Sequence, residues 1–279
     1  MDNSNTKIIY ASLADKNMAD KIARSLNSRG ISSGFETDLK GMNHLYILNE
    51  KDLEMAVDYF RVAIGEPPKM DVPEEWQEIK KLPMGHFTFA ILAICIVAFG
   101  VGWLMKEKWL YDALMFGPKQ KELTFSFIQS GEFWRLLTPA FIHFGFMHVL
   151  FNLLWWKDLA NILENTKGAV FLGFFLITTA ISSNLLQAYM VGPNFGGLSG
   201  VVYALLGYLW IYKYIYPSAK FGLPKADVVL MIGWFILCLF DIFPFGVANW
   251  AHGGGLVMGM LFGLFMGLKD KNTSNSHSA

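Results

Sequence analysis

The sequence predicts an all-α polytopic membrane protein, a bundle of six transmembrane helices, with a small N-terminal α+β domain on the cytosolic side. Three observations carry that reading. The 279-residue chain is 53% hydrophobic and only 16% charged, with a mean hydropathy of +0.35, whereas about a quarter of the residues of a soluble domain are charged. The apolar excess lies after residue 86, in long runs that contain no Asp, Glu, Lys or Arg. The first 65 residues have instead the short strands and amphipathic helices of a soluble fold. The formal net charge is zero, so nothing points to a nucleic-acid partner. Cys95 and Cys238 each sit in an apolar segment without a CxxC neighbour, and read as small buried hydrophobes rather than disulfide or zinc residues.

The N-terminal domain begins with "KIIYASL", a short apolar run that reads as a strand. "ADKNMADKIARSLNSRG" repeats Met18, Ile22 and Leu26 at four-residue spacing and stops at Gly30, so it is a helix. "ISSGFET" and "NHLYILN" read as strands on either side of a "DLKGM" turn. "EKDLEMAVDYFRVAIG" sets Leu53, Val57 and Phe60 on one helical face and closes at Gly65. The order βαββα gives a compact α+β domain over residues 1–65, half of a ferredoxin-like arrangement. It holds no catalytic constellation, and His44 is a strand or surface histidine. Residues 66–86, with Pro67, Pro68, Pro73, Pro83 and mixed charge, form a linker with one helical turn around Trp76.

Beyond the linker the solvent changes. Residues 87–105 carry no charge over 19 positions, enough to cross a hydrocarbon core of about 30 Å. Residues 136–156 and 242–268 are uncharged over 21 and 27 positions, and 168–212 over 45. The last of these holds two spans, broken at "VGPNFGG". Residues 226–241 are apolar apart from Asp227 and Asp241 near the ends. The expected spans are about 87–105, 145–163, 168–189, 199–214, 226–242 and 250–268. The tail 269–279, which includes His277, reads as disordered. An even number of spans puts both termini on one side. That side carries Lys80, Lys81, Lys157, Lys167, Lys213, Lys220, Lys225, Lys269 and Lys271, against Lys106, Lys108, Lys119, Lys121 and Arg135 opposite, which favours cytoplasmic termini. The start "MDNSNTKIIYASLADKN" lacks the basic and apolar segments of a signal peptide, in keeping with a cytosolic N-domain. The connection 106–144 is rich in aromatics (Trp109, Tyr111, Phe116, Phe125, Phe127, Phe133, Trp134) and suits the membrane interface.

Polar residues inside such spans need a reason. Ser199 lies in "GGLSG" at the expected start of the fourth span, where free backbone N–H groups and the positive end of the helix dipole could hold an oxyanion. The alternative is a small residue that lets helices approach closely in lipid. A serine nucleophile needs a base. His143, His148 and His252 are the histidines of the membrane region, and a histidine there marks function by default. His252 adjoins a seam of Ala251, Gly255, Gly259, Gly263 and Gly267, one smooth face at four-residue spacing. That seam would let the fourth and sixth helices touch and bring His252 to Ser199 at the same depth. Tyr203, one turn below Ser199, would pack on the imidazole. His148 and Asn152, at i and i+4, share a face of the second span and could donate to a developing negative charge, or simply hold two helices together. Asp158, Asp227 and Asp241 lie at span ends, so no third triad member is in place and a Ser–His dyad is expected.

These motifs together resemble the rhomboid intramembrane serine proteases. The resemblance rests on GxSG at 197–200, AHxxGxxxG at 251–259, HxxxN at 148–152 and the Trp134–Arg135 pair, over about residues 87–268. The soluble domain ahead of six spans is similar to the bacterial kind. The resemblance implies that Ser199 is the nucleophile and His252 the general base and acid. It implies an oxyanion hole made of the Ser199 backbone N–H with the His148 and Asn152 side chains. Gly197 would shape the loop before the nucleophile, Tyr203 would stack on His252, and Trp134 and Arg135 would brace the outer loop. Phe151 and Trp234 would form a lateral gate for substrate. It further implies a multi-pass protein of the bacterial inner membrane that cuts transmembrane-helix substrates near the periplasmic face, in the lipid bilayer, without metal or other cofactor. For the N-domain it leaves regulation, tethering or a homodimer open.

Three rivals are weighed against it. A catalytically silent rhomboid-like factor that binds membrane proteins would lack Ser199 or His252. A transporter would show a second glycine-rich break in the first three spans. A metal or haem site at His143, His148 and His252 would need a carboxylate or cysteine at that depth.

Overall fold

A computed structural model describes residues 7–67, 73–117, 130–240 and 246–278. It divides into two compact units, 1–72 and 73–279. In the first, β1 (Ile8–Leu13), α1 (Lys16–Asn27), β2 (Ser33–Thr37), β3 (Asn43–Ile47) and α2 (Leu53–Ala63) follow the expected order. The sheet is antiparallel in the order β1-β3-β2. Asp15 caps α1 by accepting from the Asn17 and Met18 amides at 2.8 and 3.1 Å. Ala19, Ile22 and Leu26 are buried against Leu45 and Ile47. On α2 the fully buried residue is Ala56, flanked by Leu53, Tyr59 and Phe60, so Leu53 and Phe60 face the core as expected and Ala56 stands in the place of Val57. His44 lies on β3 and pairs with Ser12 at 2.7 Å.

The second unit begins inside the expected linker. The helical turn around Trp76 is a seven-residue helix, α3 (Glu74–Lys80), and the Trp76 indole N–H donates to Asp227 at 2.6 Å. Then come α4 (His86–Phe99), which widens into a π-type turn over Gly100–Leu104, and α5 (Lys108–Leu114). Two short 3₁₀ turns, Phe133–Leu136 and Thr138–Phe141, lead to α6 (Phe146–Lys167). The chain continues as α7 (Ala169–Met190), α8 (Ser199–Ile215), α9 (Lys225–Leu239) and α10 (Asn249–Ser278). Three of these segments are long and apolar enough to cross a membrane: His86–Leu104, Ala169–Met190 and Asn249–Ser276. Helices α8 and α9 have only 17 and 15 residues, and α6 carries Lys157, Asp158, Glu164 and Lys167.

Two helix ends differ from expectation for local reasons. α6 runs past residue 163 because Glu164 caps α4: its carboxylate accepts from the Phe87 and Thr88 amides and the Thr88 hydroxyl at 2.7–3.0 Å. α10 continues to Ser278 where a disordered tail is expected, since no Gly or Pro follows Gly267 and Asp270 is held by the Tyr212 hydroxyl at 2.7 Å and by Lys167. Among the interfacial aromatics, Trp109 and Phe133 are exposed, but Phe116 is fully buried and packs on Phe195. Phe125, Phe127, Lys119, Lys121 and Asp241 lie outside the described residues.

Helix α8 is the centre of the unit, with ten successive buried residues from Gly200 to Leu209. The glycine seam of α10 lies against it, backbone to backbone. A Cβ on Gly255 or Gly259 would fall on the carbonyl oxygen of Gly200 or Ala204, and one on Gly263 would lie 2.6 Å from the Tyr208 carbonyl. Large apolar residues such as Val170, Phe174, Val229 and Phe265 stand exposed on the outer faces, a surface that suits lipid rather than water.

Candidate active site

Ser199 is the first residue of α8, so its amide and that of Gly200 have no intrahelical acceptor. The loop ahead of it is fixed by backbone: Gly197 donates to the Pro139 carbonyl at 3.0 Å, and Leu198 carbonyl accepts from Val201 and Val202. Gly197 has φ +125, a region that L side chains rarely adopt. A Cβ there would sit 2.6 Å from His148 Nε2 and 3.7 Å from Ser199 Oγ. The empty side of this glycine is the space between the histidine and the serine.

His252 is in the first turn of α10, and the seam brings it to Ser199. Its Nε2 lies 2.8 Å from Ser199 Oγ. The serine hydroxyl donating to Nε2 leaves the ring proton on Nδ1, which is buried and has no hydrogen-bond partner among the described residues. The ring is positioned by packing instead. Tyr203 lies against it with centroids 4.6 Å apart, and Phe235 approaches edge-on at 6.2 Å. The Tyr203 hydroxyl donates to the Met231 carbonyl of α9 at 3.1 Å.

His148 and Asn152 are on the first two turns of α6. The Phe144 amide donates to His148 Nδ1 at 3.5 Å, so a neutral ring carries its proton on Nε2, the atom beside Gly197. Asn152 is buried and donates one amide hydrogen to the His148 carbonyl at 2.9 Å, which leaves the second free to donate. Trp134 donates to the Ala113 carbonyl at 3.0 Å; Arg135 donates to the Asp112 and Met115 carbonyls at 2.7 and 3.0 Å and pairs with Glu132. The two side chains thus tie the end of α5 to the 3₁₀ turns. Glu132 is held below the usual carboxylate range by its Arg135 hydrogen bond. Phe151 and Trp234 stand exposed on α6 and α9.

His143 is one of the three membrane-region histidines, and the expected serine–histidine site assigns it no role. It is fully buried, accepts from the Leu198 amide at 3.4 Å and packs edge-on to His148 at 5.0 Å, so it connects the loop before Ser199 to His148. Among the described residues no three His, Cys, Asp or Glu side chains converge as a metal site. Three polar residues of α7 also went unnoticed: Gln187 accepts from the Ala251 amide at 3.1 Å, Asn184 donates to the Leu136 carbonyl at 2.9 Å, and Ser183 lies under Gly200. Being uncharged, they leave no mark on a charge profile; three polar residues within the five positions 183–187, ahead of a Gly-rich loop, are the available signal.

The family model of the Rhomboid domain matches residues 130–269, half of the chain. The chain is 39% identical over 176 residues to a protein of Klebsiella pneumoniae named Rhomboid protease GlpG, and 36% identical over 177 residues to one of the same name from Serratia proteamaculans. Each match covers 63% of this chain and 61% of the relative. The chain therefore spans about three fifths of the length of the curated relatives it matches.

Proposed function

The chain belongs to the rhomboid family, and on that footing we propose that it is an intramembrane serine endopeptidase in which Ser199 and His252 act as a dyad. The observation that carries the proposal is the 2.8 Å approach of Ser199 Oγ to His252 Nε2 at the start of α8. His252 takes the serine proton as Oγ attacks the scissile carbonyl, and returns it to the leaving amine. Water then repeats the sequence in reverse on the acyl-enzyme. The oxyanion is met by the Ser199 backbone N–H, His148 Nε2–H and the free Asn152 amide hydrogen. No carboxylate among the described residues holds the imidazole, so the Tyr203 ring face stabilises the imidazolium as it forms.

The substrate is a transmembrane helix of another protein. Its backbone is internally hydrogen-bonded, so it must unwind before it can be cut. It enters between α6 and α9, past Phe151 and Trp234, while Trp134 and Arg135 hold the outer loop. The protein crosses the bacterial inner membrane six times, with both termini cytoplasmic and the site near the periplasmic face. The short α8 and α9 are accommodated because the bilayer thins around a short span at modest cost.

The test is cleavage of a reporter transmembrane substrate by the purified protein beside Ser199→Ala and His252→Ala. Cleavage by the wild type alone is expected. Equal cleavage by all three removes the dyad, and no cleavage by any, with several substrates in lipid, leaves a silent binding factor.

A further inference from the structure

At the end of α8 opposite Ser199 lies a cleft of about 480 Å³ that no step of the proteolytic reading uses. Its wall includes Lys167 at the end of α6, Tyr208 and Tyr212 on α8, and Ser218 and Lys220 of the following turn. A third ammonium group, that of Lys213, donates to the Ala219 carbonyl in that wall at 2.6 Å. Against these three cations stands Asp270, which pairs with Lys167 and accepts from the Tyr212 hydroxyl. Glu78 feels Lys220, but its carboxylate is committed to Lys81. The cleft therefore carries excess positive charge.

A second observation points to a ligand. Tyr208 is 1% exposed, and its hydroxyl has no hydrogen-bond partner among the described residues. A buried donor left without an acceptor costs its full desolvation, and an oxyanion in the cleft would remove that cost. Val170 and Phe174, at the start of α7 on the same end of the bundle, are exposed and offer apolar surface for acyl chains.

We propose that this cleft binds an anionic, phosphate-bearing headgroup, with Lys220 and Lys167 as its cationic contacts and the Tyr208 and Ser218 hydroxyls as donors. Basic pockets between transmembrane helices at the membrane surface bind lipid headgroups by this chemistry. The site does not depend on the protease reading.

The full-length protein in detergent is titrated with dihexanoyl phosphatidylglycerol, inorganic phosphate and dihexanoyl phosphatidylcholine, and its unfolding temperature is followed. Phosphatidylglycerol is expected to raise it saturably. The half-saturating concentration should rise about fivefold in Lys220→Gln, the loss of one surface cation, and should also rise in Tyr208→Phe. A response to phosphatidylglycerol alone identifies a lipid; an equal response to inorganic phosphate identifies a free anion in the same site. Either supports the proposal. Unchanged half-saturation in both variants, no saturable response, or an equal response to phosphatidylcholine overturns it.

Discussion

Gly255→Ala should disable the proposed proteolysis through a contact that involves neither Ser199 nor His252. The added Cβ would lie on the Gly200 carbonyl oxygen and 2.8 Å from its carbon, where ordinary carbon contacts are about 3.5–4.0 Å. Both groups are backbone, so no rotamer can yield, and α10 must withdraw from α8 by about 1 Å. Gly200 follows Ser199 directly and Gly255 is one turn after His252, so the displacement passes straight to the 2.8 Å Oγ–Nε2 pair and stretches it beyond hydrogen-bond range. The overpacking costs about 1–3 kcal/mol of stability, and a misplacement of this size costs about 10²-fold in rate. Gly253→Ala is the control, because its Cβ meets only Phe235 Cζ at 3.5 Å. Reporter cleavage, thermal unfolding and covalent labelling of Ser199 by a fluorophosphonate are measured on both. Cleavage by Gly255→Ala within twofold of wild type, or equal damage in Gly253→Ala, would refute the seam as the device that sets the dyad.

Three further outcomes are expected. Gly197→Ala forces a side chain into φ +125 and to 2.6 Å from His148 Nε2; kcat should fall about 10²–10³-fold, the loss of an oxyanion donor, while unfolding shows a native-like transition. Tyr203→Phe loses only the Met231 hydrogen bond, worth about 1 kcal/mol, and keeps the ring face on His252; it should retain more activity than Tyr203→Leu, and the reverse order in a cleavage assay refutes the ring's role. Glu164 lies beyond the proposed second span. Burial opposes its charge, but the Thr88 hydroxyl, the Thr88 and Phe87 amides and nearby His86 outweigh it and hold the carboxyl below its ordinary 4.5. A lowered folded value gives stability that is full above about pH 4.5 and is lost as pH falls through the folded value; the acid limb of a stability–pH curve should flatten in Glu164→Gln, and an unchanged limb counts against the cap.

Much of the site was readable because its chemistry is local or periodic. Ser199 is flagged by glycines, His148 and Asn152 by their i, i+4 spacing, and the α8–α10 contact by a four-residue glycine repeat. Where the fold escaped the sequence, a tertiary contact decides. Glu164 looks like the charged end of a span, but it is a cap on α4, bonded to Thr88, 76 residues earlier. The tail looks unstructured by composition, yet Asp270 fastens its first turn to Tyr212 and Lys167. Phe116 has the composition of an interfacial ring and a place in the core. His143 carries no motif of its own; only the irregular path of the chain from Pro139 to Gly145 brings it under Leu198.

The seam between α8 and α10 also bears on when the proposed hydrolysis could begin. The proposed nucleophile is made first, and its proposed base follows 53 residues later, on α10. Until that helix inserts, the groove along Gly200, Ala204 and Tyr208 is unfilled and the serine has no base. On the proposed reading, a chain whose α10 is not yet made has no proteolytic activity. For the proposed dyad, the order of synthesis would act as a safety catch, released only when α10 packs on α8.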